Sequence, residues 1–129
     1  MNDALIKLAL IVIAGITVVS GLSQMVAPAF VLHLIGADTG EASRHLFATV
    51  GMFMVITGAM FLQALLTRSR ERAIPLWIGV QKLAAAALVG WGWMKGLFGV
   101  LALGVAGFDL ATGILALVFL SRLKRSYDV

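Results

Sequence analysis

Residues 74–120 read IPLWIGVQKLAAAALVGWGWMKGLFGVLALGVAGFDLATGILALVFL. Only Lys82, Lys95 and Asp109 carry charge in this stretch. Lys95 falls in Trp93-Met94-Lys95-Gly96, which reads as a tight hairpin. On either side lie apolar arms, 74–94 and 97–120. Each is long enough to cross a hydrocarbon core of about 30 Å at about 1.5 Å per residue. The stretch therefore reads as two antiparallel membrane spans. Lys82 and Asp109 sit inside them, one ionisable group of each sign. Such a group at bilayer depth costs about 2.5–3.5 kcal/mol on insertion scales, so it must be paired, face a cavity, or act.

Working outward, two further segments qualify as spans, 4–26 and 45–66. Ala27-Pro28-Ala29 ends the first, because proline cannot continue the hydrogen-bond ladder. Gly36-Ala37-Asp38-Thr39-Gly40 is a turn cluster in which Asp38 or Thr39 suits an N-cap, with Glu41 favourable in the first turn. Residues 67–72 form a short charged loop, and Pro75 fits the first turn of the third span. The expected fold is all-α: an up-down-up-down four-helix membrane bundle forming one domain over 1–129.

Composition agrees. The 129 residues are 61% hydrophobic and 12% charged, with a mean hydropathy of +1.04. Soluble domains carry about 25% charged residues. The net charge of +4 does not point to nucleic acid, because the basic residues gather at span ends. Lys7, Arg68, Arg70, Arg72, Arg122, Lys124 and Arg125 fall on one side; Arg44 and Lys95 fall on the other. The positive-inside rule puts both termini in the cytoplasm, and a bacterial-type inner membrane is expected. Trp91 and Trp93 fall at the outer interface and Trp77 near the inner one. The N-terminal segment resembles a signal peptide ending in Ala27-Pro28-Ala29. Its span length and Pro28 argue that it is retained.

There are no cysteines, which removes thiolate metal sites and Cys nucleophiles. No GxSxG, P-loop or GxGxxG motif is present. The expectation leans away from an enzyme, and no cofactor is named.

A weak repeat joins the even-numbered spans. Val50, Phe53, Thr57, Gly58, Leu62 and Leu65 align without gaps on Val105, Phe108, Thr112, Gly113, Leu117 and Leu120. Both copies run the same way, which suggests two parallel hairpins about an axis along the membrane normal. Asp109 aligns on Met54, so the acid belongs to one half only.

Measured from residues 74 and 120, Lys82 lies about 12 Å deep and Asp109 about 16 Å deep. On antiparallel neighbours the lysine stem covers that difference. A buried ion pair, direct or bridged by one water, is expected. Gln81 adjoins Lys82 and borders the same groove. A second polar cluster, Glu41, Arg44 and His45, with His33 nearby, gathers at the outer ends of the first two spans. Glu41 and His45 are four residues apart on one helical face. Two ligands make a poor metal site, so a capped, solvated helix start with an ion pair is expected, and no metal. Glycines and alanines, among them the pairs Ala102/Ala106 and Gly107/Ala111, permit close helix approach.

In the first half, Ala27-Pro28-Ala29-Phe30, Leu34-Ile35-Gly36 and an acidic residue with Arg44 before a span bearing Gly51 and Gly58 resemble the DoxX-like small four-helix membrane proteins. The resemblance implies an integral membrane bundle, some relatives being associated with quinone-linked or redox complexes.

These residues point first to a small non-catalytic membrane subunit or accessory protein. Its partners would be the lipid bilayer and a second copy or a larger complex. The alternative is a bundle that binds a lipid, quinone or other small molecule near Lys82 and Asp109, as a carrier, transporter or membrane enzyme.

Overall fold

The computed structural model describes residues 2–127, with side chains described as far as 123. The side chains of Lys124 and Arg125, counted above among the basic residues, lie outside the described residues. Five helices follow in order: α1 (Asp3–Val26), α2 (Pro28–Leu34), α3 (Glu41–Leu66), α4 (Ala73–Met94) and α5 (Leu101–Tyr127). Four of them are long and apolar enough to cross a membrane. The chain is an integral membrane protein built as two hairpins, α1 with α3 and α4 with α5.

Local chemistry explains the boundaries. The Asn2 side chain caps α1, its Oδ1 accepting from the Leu5 amide at 2.8 Å, and Asp3 favours the positive end of the helix dipole. Pro28 stops α1 and opens the seven-residue α2. The turn expected at Gly36 is there, but the helix before it was not expected. α3 begins at Glu41, four residues before the expected 45. Its N-cap is Gly40 rather than Asp38 or Thr39. Asp38 instead accepts from the Ser43 hydroxyl at 2.8 Å and the Gly40 amide at 3.3 Å. α3 closes with the Ser69 amide on the Ala64 carbonyl and the Arg68 amide on Leu65, the bonds of a Schellman cap. α5 starts at Leu101 rather than 97, so residues 95–100 form a longer turn than a tight hairpin. Gly96 holds φ +77° there.

The buried face of α1 is one stripe: Ile6, Leu10, Ala14, Thr17, Gly21 and Gln24. Large apolar residues such as Leu8, Val12 and Val19 are exposed on its other faces, where lipid covers them. Lipid tails are as apolar as leucine, so burying leucine drives no association here; close packing and polar bonds do. Hairpin one depends on close packing. A Cβ at Gly21 would lie 2.5 Å from the Gly51 carbonyl oxygen, and one at Gly51 would lie 2.6 Å from that of Gly21. The two backbones touch, and only glycine fits.

All four spans share an apolar core of Ile6, Leu10, Ala14, Phe61, Leu65, Ile78 and Ala116. It lies toward the end that carries the termini. At the opposite end the Gly99 amide donates to the Ile35 carbonyl at 2.7 Å. That bond ties the end of α2 to the turn before α5, and Phe98 packs against Gly92. The middle of the bundle is thus enclosed between an apolar layer and a backbone clasp.

Candidate functional site

One helical turn beyond the apolar layer lies a polar one. On α4, Lys82 follows Ile78. On α5, Thr112 and then Asp109 follow Ala116. On α1, Thr17 follows Ala14. Their spacings on apolar helices turn all of these side chains inward. Lys82 and Asp109 are 6% and 9% exposed. Lys82 Nζ stands 3.1 Å from Asp109 Oδ1, a direct salt bridge. It also donates to Thr17 Oγ1 at 3.4 Å. The Thr17 hydroxyl donates in turn to the Ile13 carbonyl at 3.0 Å, which leaves its oxygen lone pairs for the lysine. The Phe108 ring centroid is 5.9 Å from Nζ. One ammonium is therefore held by a carboxylate from its own hairpin and a hydroxyl from the other.

Beside this group is a void of about 10 Å³, bordered by Thr17, Thr57, Gly58, Gln81, Lys82 and Thr112. One water needs about 10–15 Å³ by the same measure. The space fits a single water at most and no quinone ring or acyl chain. Gln81 belongs to the site as a wall of that void. Of the two forms expected for the ion pair, the direct one is present.

The repeat has a geometric counterpart. Thr57 Oγ1 donates to the Phe53 carbonyl, and Thr112 Oγ1 to the Phe108 carbonyl, each at 2.8 Å. Gly58 faces Val18 and the Ala14 carbonyl; Gly113 faces Leu83 and the Gly79 carbonyl. These neighbours match α1 to α4 with one offset, placing Ala14 on Gly79, Val18 on Leu83 and Thr17 on Lys82. That offset is the 65 residues between Thr17 and Lys82. At the Asp109 equivalent, Met54, the sulfur accepts from Gln24 Nε2 at 3.2 Å. Hairpin one thus puts Thr17 and Met54 where hairpin two puts Lys82 and Asp109.

Thr17 was not foreseen as a site residue. A threonine in an apolar helix satisfies itself on the carbonyl four residues back, and Thr17 does so. Only extending the repeat to the odd-numbered spans would have aligned it with Lys82.

The outer cluster is looser. Glu41, Arg44 and His45 all lie exposed on the first turns of α3. The ion pair expected there is absent: among the described residues no salt bridge joins Glu41 to Arg44. Nor does any group of three or more His, Cys, Asp or Glu among the described residues come together as a metal site. The small-residue pairs divide in two. Ala102 and Ala106 are buried, whereas Gly107 and Ala111 are exposed. No family model, curated protein or solved structure matches the chain.

Proposed function

We propose that this chain is a small, non-catalytic subunit or accessory protein of a membrane assembly, with Lys82 and Asp109 acting as an internal lock. The observation that carries this reading is the direct 3.1 Å bond between them, next to a void too small for a substrate. The only two ionisable groups found buried among the described residues are spent on each other. What remains for function is the outer surface. On α5, Gly104, Gly107 and Ala111 are exposed, and a Cβ added at Gly104 or Gly107 would meet nothing within 4 Å. Small residues on a lipid-facing helix suit close approach by a second helix, from another copy or a larger complex. Membership of the DoxX-like group is part of this proposal and rests on the first-half residues quoted above.

The proposed orientation has both termini in the cytoplasm. It is supported by Lys7, Arg68, Arg70 and Arg122 bordering one hollow at one end of the bundle. The cysteine-free chain makes this easy to measure. Single cysteines at Ser69 and Thr39 should label from the cytoplasmic and outer faces respectively.

Native mass spectrometry after gentle extraction tests the assembly. An oligomer or a stable complex is expected, and a Gly104→Leu/Gly107→Leu variant should dissociate it. Monomer alone under every mild extraction overturns the reading.

A further inference from the structure

We infer that the termini-bearing end of the bundle holds a binding site for the phosphodiester headgroup of an anionic phospholipid. A hollow of about 290 Å³ opens there between the start of α1, the end of α3 with its following loop, and the end of α5. Its rim carries Lys7, Arg68, Arg70 and Arg122, with Asp3 as the single acid among the described residues; Ile6, Leu65 and Phe119 are among its apolar walls. Arg122 is engaged by Asp3 at 2.6 Å. Among the described residues no carboxylate forms a salt bridge with Lys7, Arg68 or Arg70. The hollow therefore carries a surplus of cationic donors over an apolar base.

Topology alone does not require this arrangement. The positive-inside rule counts charges near span ends and is indifferent to whether they converge. Here three segments far apart in sequence bring basic side chains to one hollow, while Arg72, in the same loop, is not among its lining residues. Arg68 holds φ +56°, the left-handed position that glycine usually fills after a helix. The chain keeps an arginine at the rim where backbone preference favours a residue without a side chain.

Size and depth select the ligand. A drug-sized ligand site starts at about 300 Å³, so a whole lipid does not fit, but a phosphate with its glycerol does. The hollow lies where the apolar spans end, at the level of the headgroups. On α1 the exposed Leu8 lies one helical turn from Ala4 of the hollow's lining, an apolar edge for an acyl chain. Basic pockets between spans on the cytoplasmic side bind anionic headgroups in this way.

The test uses the full chain in phosphatidylcholine nanodiscs doped with phosphatidylglycerol, with bound lipid read by native mass spectrometry. Phosphatidylglycerol should be retained at least about tenfold over phosphatidylcholine, as a few basic groups at a membrane surface provide. Lys7→Gln, Arg68→Gln and Arg70→Gln combined should abolish the preference. Arg72→Gln should leave it unchanged, and so should the charge-preserving Lys7→Arg/Arg70→Lys. Melting of the wild-type chain should rise with phosphatidylglycerol and not with inorganic phosphate or glycerol phosphate. Equal retention of the two lipids overturns the proposal. So does a preference that survives the triple variant, or saturation by inorganic phosphate alone, which would mark a soluble phosphate ligand. If the triple variant does not fold, Arg68→Gln and Arg70→Gln singly must each lower the preference.

Discussion

Thr17 and Lys82 occupy equivalent positions in the two hairpins and meet inside the bundle, hydroxyl oxygen to ammonium, at 3.4 Å. Their separation in sequence is the same offset that relates Ala14 to Gly79 and Val18 to Leu83, the matching neighbours of Gly58 and Gly113. A repeat-related position thus carries a neutral acceptor in one half and a cation in the other. The Asp109 carboxylate, which has Met54 as its counterpart, completes the neutralisation. The contacts of Thr57 and Gly58 match those of Thr112 and Gly113, while the polar chemistry is divided between the halves.

Removing either member of the ion pair leaves the other charged and buried. Lys82→Met and Asp109→Asn should each destabilise the fold by about 3–5 kcal/mol, whereas the double variant should recover most of the loss. Equilibrium unfolding in mixed micelles, analysed as a double-mutant cycle, measures this. Additive losses would mean that the two groups act independently.

Thr17 holds the lysine from the other hairpin by a longer, neutral-acceptor bond. Thr17→Val should cost about 1–2 kcal/mol, less than either ion-pair variant. Thr17→Ser, which keeps the hydroxyl, should lie near wild type. The same unfolding measurement separates the two.

Gly21 and Gly51 should tolerate nothing larger. Alanine at either places a Cβ within about 2.6 Å of a carbonyl oxygen, which forces α1 and α3 apart at a cost of about 1–3 kcal/mol. Alanine at Gly104 or Gly107 meets open space and should leave monomer stability unchanged or raise it by up to about 1 kcal/mol through helix propensity. Thermal melting in detergent distinguishes the two groups.

Gln24 carries the one buried side-chain polar atom without a hydrogen-bond partner among the described residues, Oε1. Its amide nitrogen has only the weak sulfur acceptor of Met54. Gln24→Leu removes the orphan atom and should raise stability by about 1 kcal/mol. A loss of stability in melting curves would show that the amide has a partner of its own.

The spans and the ion pair were legible because each rests on one-dimensional information. Hydropathy over some twenty residues marks a span, and 1.5 Å per residue converts position into depth. That conversion alone puts Lys82 and Asp109 at similar depth. α2 is hidden in the sequence because Pro28 both ends α1 and, at a first helical position, opens α2. Thr17 was missed because its own backbone bond explains it without a partner. The outer ion pair failed because Glu41 and Arg44 stand exposed, where solvent competes and holding two side chains in one geometry gains little. The sequence shows the basic residues at span ends, but a count holds no information on which of them share a hollow.

The span between Lys82 and Asp109 in the chain also has a consequence in time. Asp109 leaves the ribosome 27 residues after Lys82. At about 5–20 residues per second, α4 waits about 1–5 s for the residue that neutralises its lysine. During that interval α4 alone faces the full insertion penalty of a charged side chain. Biogenesis therefore favours lateral release of α4 and α5 into the bilayer together, as a closed hairpin already carrying no net internal charge. α1 and α3 bury no charged side chain and face no such penalty.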